Sequence, residues 1–169
     1  MSTIHTNHTN HTQASQIMVD IIHRVGIKAS PAQVYRALST IDGVSGWWTR
    51  ETTGLSQPGG TIEFTFSTPG GKRIGGMSME VLELEPDKGV RWRCTDGPEE
   101  WIGTEVGFEL VQDGDYTIVR FGHRNWREAL EFTEHCSTKW ATFLMSLKEL
   151  VETGSGRPSP DDVKIDNWN

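Results

Sequence analysis

The feature that most constrains this chain is a change of period. From Thr61 to Asn125 apolar residues recur at every second position in runs cut by turn residues, and from about Thr133 to Glu152 they recur at spacings of three and four. The first period belongs to strands with one buried face, the second to an amphipathic helix. Pro58-Gly59-Gly60 opens a run to Thr68 in which Ile62, Phe64 and Phe66 share a face. Pro69-Gly70-Gly71 turns into Arg73 to Glu85, which sets Met77, Met79 and Val81 on one face and then slips to Leu82 and Leu84, the mark of a bulge. After Pro86-Asp87-Lys88-Gly89, Val90, Trp92 and Cys94 alternate with Arg91 and Arg93. Val106, Phe108 and Leu110 repeat the pattern, and beyond Asp113-Gly114-Asp115 so do Val119, Phe121 and His123. The closing helix carries Cys136, Trp140, Phe143, Leu147 and Leu150 in one stripe, with Gly154 as its cap and Pro158 barring continuation.

Ahead of the meander, Ile17 to Ala29 reads as a first strand. Ser30-Pro31-Ala32-Gln33 then combines a capping hydroxyl, a proline at the first helical position and a glutamine that reaches back, so a helix starts there with Val34, Tyr35 and Leu38 inward. Asp42 to Trp48 reads as a second short helix or turn. The expected class is α+β, a curved antiparallel sheet of about six strands wrapped around one long C-terminal helix. Residues 17–153 form the single domain. Residues 1–16 read as a disordered polar tail, and 154–169, rich in Gly, Pro, Ser and Asp, as a second polar tail whose Trp168 can dock back.

Charge narrows the function. With 16 Lys+Arg against 23 Asp+Glu the net charge is -7, which opposes the phosphate contacts of nucleic acids and of anionic membranes. No apolar run is long enough to span a bilayer and no leader pattern is present, so the expected compartment is the cytoplasm. Cys94 and Cys136, the only cysteines, fit buried thiols in reducing surroundings. The His5, His8 and His11 repeat lacks the apolar anchors that would fix a metal, and neither a metal nor another cofactor is expected. Nucleophile elbows and phosphate-cradling glycine loops are missing.

The seven Trp are more than a tight core of this size needs, which points to a cavity between sheet and helix, with two readings for Trp47, Trp48, Trp92, Trp101 and Trp140: stacking on an aromatic or sterol-like ligand, or plain core. Its expected lining is Phe64, Phe66, Met77, Met79, Trp92, Phe108, Phe121 and His123 from the strands, Trp47 and Trp48 from the second short helix, and Trp140, Phe143, Leu144 and Leu147 from the last helix. His123 has two readings: an acid, base or orienting donor facing the cavity, or a core histidine bonded to an indole or to backbone. Arg91, Arg93 and Arg120, and the pairs Glu99-Glu100 and Asp161-Asp162, read as solvated charges.

Taken in order, Ser30-Pro31-Ala32-Gln33-Val34-Tyr35-Arg36-Ala37-Leu38, Trp47-Trp48, Gly59-Gly60, Glu83-Leu84-Glu85-Pro86, Thr117-Ile118-Val119-Arg120-Phe121-Gly122-His123 and Lys139-Trp140 with Leu144, Leu147 and Leu150 resemble the helix-grip superfamily. That group includes START-type lipid carriers, plant pathogenesis-related class ten proteins and polyketide cyclases. Within it the chain is most similar to proteins like the activator of the ninety-kilodalton heat-shock-protein ATPase. The resemblance spans about Ile17 to Val151 and implies a helix-grip fold with one of three activities. The first is binding of a small hydrophobic or aromatic molecule. The second is cyclase or dehydratase chemistry with His123 and a carboxylate moving protons. The third, ranked last because the chaperone regulators carry a further N-terminal domain, is stimulation of a chaperone ATPase. Pairing into a homodimer is compatible with all three. The family pattern has Gly where this chain has Lys139, which implies looser packing at the start of the last helix.

Overall fold

The computed structural model describes residues 18–169; the tail reading for 1–16 and the His-Thr-Asn repeat lie outside them. The sheet has seven strands, one more than expected: β1 (Val19–Ile27), β2 (Glu51–Gly54), β3 (Thr61–Ser67), β4 (Arg73–Glu85), β5 (Gly89–Asp96), β6 (Glu105–Asp113) and β7 (Tyr116–Trp126). Their order across the sheet is β1-β7-β6-β5-β4-β3-β2, antiparallel throughout. The additional member is β2, four residues without apolar alternation at the sheet's edge, so no two-residue period announces it. The slip read at Leu82 is a register shift between Val81 and Glu83 against β5.

Among the described residues three α-helices complete the fold: α1 (Pro31–Ser39), α2 (Ile41–Ser45) and α3 (Glu131–Thr153). The capping box is present, with the Gln33 N–H donating to Ser30 Oγ at 3.3 Å and the Ser30 N–H to Gln33 Oε1 at 3.1 Å. Between α1 and α2, Thr40 Oγ1 accepts from the Gly43 N–H at 3.0 Å, so one hydroxyl starts the second helix. Gly43 is required there because a Cβ would fall 2.6 Å from the Arg36 carbonyl oxygen. Gly154 ends α3 at φ 90°, in the left-handed region that favours glycine.

α3 crosses the concave face of the sheet and is pinned to β1 at both ends. His23 Nε2 donates to the Ser137 carbonyl oxygen at 3.0 Å and Lys148 Nζ to the Gly26 carbonyl oxygen at 2.6 Å. Trp140 and Leu144 of the helix and Trp92, Phe108 and Phe121 of the strands are buried in one continuous core.

The segment after Gly154 is not a free tail. It turns back along α3, with Ser159 buried and in a parallel bridge to Thr49. The Ser159 N–H donates to the Trp48 carbonyl oxygen at 2.8 Å, and the Arg50 N–H to the Ser159 carbonyl oxygen at 3.1 Å. Asp162, expected in solvent, is instead nine-tenths buried and ion-paired with Lys139. That pairing also answers the expectation of loose packing at Lys139: the residue is 8% exposed, its stem lies along α3 with the amine 5.0 Å from the Phe143 ring centroid, and Trp140 beside it is 2% exposed.

Candidate functional site

An apolar cavity of about 530 Å³ opens between the β3–β4 hairpin and the first half of α3. Phe66 faces it from β3 and Ile74 and Met77 from β4, where Gly75 and Gly76 between them present no side chain. Trp101, on a short 3-10 turn between β5 and β6, and Pro98 close its floor together with Trp48. α3 contributes Phe132, His135, Cys136, Lys139, Trp140 and Phe143, and the returning segment contributes Trp168 and Asn169 at the rim. Cys136, Lys139, Trp140 and Phe143 fall at helical spacing, which is why about two turns of α3 form a wall.

Of the residues expected to line the cavity, Trp48, Phe66, Met77, Trp140 and Phe143 do so. The remainder pack deeper. Trp47, Phe64, Met79, Trp92, Phe108, Phe121, His123, Leu144 and Leu147 are each at most 2% exposed and lie in the closed core. Trp48 and Trp92 stack at 6.0 Å with 2° between planes, Trp48 and Phe64 meet at 4.3 Å, and Phe121 and Trp140 at 4.6 Å. Sequence reasoning passed over His135, Cys136 and Lys139 as wall residues, although their place on the stripe of Trp140 and Phe143 marks them. Trp101, one of the Trp expected either to stack on a ligand or to fill the core, lines the cavity, and so does Trp168, expected to dock back; nothing local signals Ile74, because it comes from a strand end.

His123 is the hinge of the closed region. Its Nδ1 accepts from the Trp140 indole N–H at 3.1 Å, so the ring proton is on Nε2, which donates to Thr104 Oγ1 at 2.8 Å. The Thr104 hydroxyl donates in turn to the Trp101 carbonyl oxygen at 2.6 Å. Both ring nitrogens are therefore engaged, and burial holds the imidazole neutral, its pKa pushed down to about 3. This is the arrangement of a core histidine bonded to an indole, without a nitrogen turned to the cavity. Burial also pushes the Cys136 thiol up to about 12 and Cys94 up to about 11, so neither is a thiolate nucleophile near neutral pH.

The polar groups at the cavity rim are tied to the returning segment. Lys139 Nζ donates to Asp162 Oδ2, to the Val163 carbonyl oxygen at 2.8 Å and to the Asn169 carbonyl oxygen at 3.4 Å, which uses all three of its N–H groups. His135 Nδ1 meets Asp166 Oδ2 at 2.6 Å, and the His135 hydrogen bond holds the Asp166 carboxyl below its ordinary range. Among the described residues no group of three or more His, Cys, Asp or Glu is placed to hold a metal, and no helix is long and apolar enough to cross a membrane.

A seven-stranded antiparallel sheet closed over one long helix, with an apolar cavity at the open end, defines the helix-grip class. Residues 28–152 match the family described as activator of Hsp90 ATPase homolog 1-like protein, and the chain belongs to that family. It is 46% identical to the Aha1 dimer from Colwellia psychrerythraea, whose solution structure superposes with a TM-score of 0.73 over 82% of this chain and 99% of that one. MLL2253 from Mesorhizobium loti is 20% identical, with a TM-score of 0.66 over 79% of this chain and 96% of that chain. CalU16 from Micromonospora echinospora is 21% identical, with a TM-score of 0.64 over 83% and 77%. The last two share the fold. No curated protein matches the chain.

Proposed function

We propose that this chain binds a small, flat, apolar molecule in the cavity between the β3–β4 hairpin and α3. The observation that carries this reading is the contrast between filled and unfilled aromatic space. Trp47, Trp92, Phe108 and Phe121 close on one another in the core, whereas Phe66, Phe143 and Trp168, with the outer sides of Trp48, Trp101 and Trp140, converge on about 530 Å³ of space bounded by apolar atoms. That volume suits a molecule of two to four fused or linked rings, within the usual range of small-molecule sites of about 300–1,000 Å³. The enzyme reading has less support, since His123 offers no nitrogen to the cavity and Lys139 and His135 are each held by a carboxylate.

The test is a thermal and fluorimetric titration of the full chain with phenylnaphthylamine, an uncharged three-ring probe, alongside native mass spectrometry of the freshly purified protein. A saturable one-to-one complex and a raised Tm support the site. Lack of saturable binding, with a bare mass, removes it.

The family description supports a second reading, regulation of an Hsp90-type ATPase. Adding the purified chain to such a chaperone and following ATP turnover decides it: a several-fold increase supports regulation, and an unchanged rate removes it. The relative from Colwellia psychrerythraea is described as a dimer, and we extend self-association to this chain as a proposal that sedimentation velocity checks.

A further inference from the structure

The cavity lining contains two side chains able to carry positive charge, Lys139 and His135, and no Asp or Glu side chain. They lie four residues apart on α3 and so present to the same side of the helix. The carboxylates that satisfy them, Asp162 and Asp166, come from the returning segment and stand behind the rim rather than in the cavity wall. The segment itself has two halves. Up to Asp161 it is fixed by backbone and side-chain ties: Ser159 to Trp48 and Arg50, the Arg157 N–H to Ser146 Oγ at 2.7 Å, and Arg50 to Asp161 at 2.6 Å. From Asp162 onward, among the described residues, its polar ties to the rest of the protein run to Lys139 and His135, and Trp168, 47% exposed, lies 5.3 Å from the His135 ring.

An apolar cavity with cations at one rim is the recognition chemistry of an apolar acid, whose rings lie against Trp140 and Phe143 while its anion takes the ammonium. In this arrangement the segment's own aspartates hold those cations and its own indole sits at the mouth. We propose that residues 162–169 are an intramolecular competitor for the anionic group of an apolar ligand, with Asp162 on Lys139 exchanged for that group on binding. This rests on the reading of the cavity as a ligand site, and it names the ligand class: a hydrophobic carboxylate, sulfonate or comparable monoanion.

Two probes with the same ring system separate the ideas, anilinonaphthalene sulfonate and the uncharged phenylnaphthylamine. In Asp162→Asn/Asp166→Asn the affinity for the sulfonate should rise about tenfold while that for the neutral probe changes less than about twofold. In Lys139→Met the gain for the sulfonate should vanish while the neutral probe still binds. Near-UV circular dichroism of the Trp core checks that each variant is folded. A second measurement needs no variant: Lys164 is the one trypsin site in this segment, because Arg157 precedes a proline. Saturating sulfonate should speed cleavage after Lys164 several-fold in the parent protein, and the neutral probe should not. A sulfonate-to-neutral affinity ratio that stays within twofold across parent and variants, or sulfonate binding without faster cleavage, overturns the exchange while leaving the cavity reading intact. Failure of both probes to bind overturns the cavity reading itself.

Discussion

The two ends of the space under α3 are lined with the same kinds of residue and end differently. Around His123, Trp101, Trp126 and Trp140 the rings meet one another within 4.6 to 6.3 Å and exclude solvent. Less than one turn beyond Trp140 on α3, Phe143 stands 6.4 Å from Phe66 of β3, and the two bound open space. What differs is the facing strand. At the closed end β7 offers Phe121 and His123 and the 3-10 turn adds Trp101, whereas at the open end β4 offers Gly75 and Gly76. Gly75 pairs with Phe66 and shares the inward face with Met77, and a Cβ built on it meets nothing within 4 Å. Cavity formation is therefore a matter of which inward positions carry side chains, not of how many aromatic residues the chain has.

The largest expected effect sharpens that comparison from the closed end. Trp140→Ala removes a ring packed on Trp48, Trp101 and Phe121 and frees the His123 Nδ1 acceptor, and it should cost about 3–5 kcal/mol in chemical denaturation. A loss below about 1 kcal/mol would mean the closed end is not a dry core at all.

Next in size is the pH dependence of the same region. The unfolded chain protonates His123 near its ordinary value of 6.5, and the native chain only near 3, so between these values the unfolded state binds more protons. Stability from a neutral His123 is thus complete above about pH 6.5 and is lost as pH falls toward 3, at up to about 1.4 kcal/mol per pH unit. His123→Gln has no such titration. The difference between the two denaturation free energies, taken from pH 7 to pH 4.5, should narrow steadily toward acid; parallel curves would place His123 in a more solvated setting than the structure gives it.

The open end responds to filling. Gly75→Leu projects a side chain into the cavity from a strand position where glycine is a conformational liability, so stability should hold or rise slightly. Binding of phenylnaphthylamine should weaken by about tenfold or more, because the added atoms occupy the space the probe needs. Unchanged binding with intact stability would move the ligand elsewhere.

These contrasts also show how far the sequence reaches. Alternation identified the inward face of β3 to β7, and the capping box and helix stripe fixed α1 and α3, because each is a local signal with its own period. Depth along the groove has no such signal. Phe64 and Phe66 are equivalent by alternation, yet the first is sealed under Trp48 and the second faces the cavity. β2 was illegible because its Thr-rich edge has no apolar face. The path of the returning segment was illegible because composition describes a segment as polar without saying what it meets: Asp162 finds Lys139 across 23 residues of sequence, a pairing that only the fold makes local.

The smallest expected effect comes from Trp168, and it is the most discriminating. This indole is half exposed, touches His135 and is not part of the buried core, so Trp168→Ala should change stability by less than about 0.5 kcal/mol, against several for Trp140→Ala. If the indole covers a bound ligand, its loss should weaken phenylnaphthylamine binding by about two- to fivefold, the order of one partly exposed aromatic contact. The same substitution should leave the acid slope set by His123 untouched. A Trp168→Ala protein with lowered stability and unaltered probe affinity would reverse the assignment, making the returning segment a structural clasp on α3 and leaving the cavity to be closed by its ligand alone.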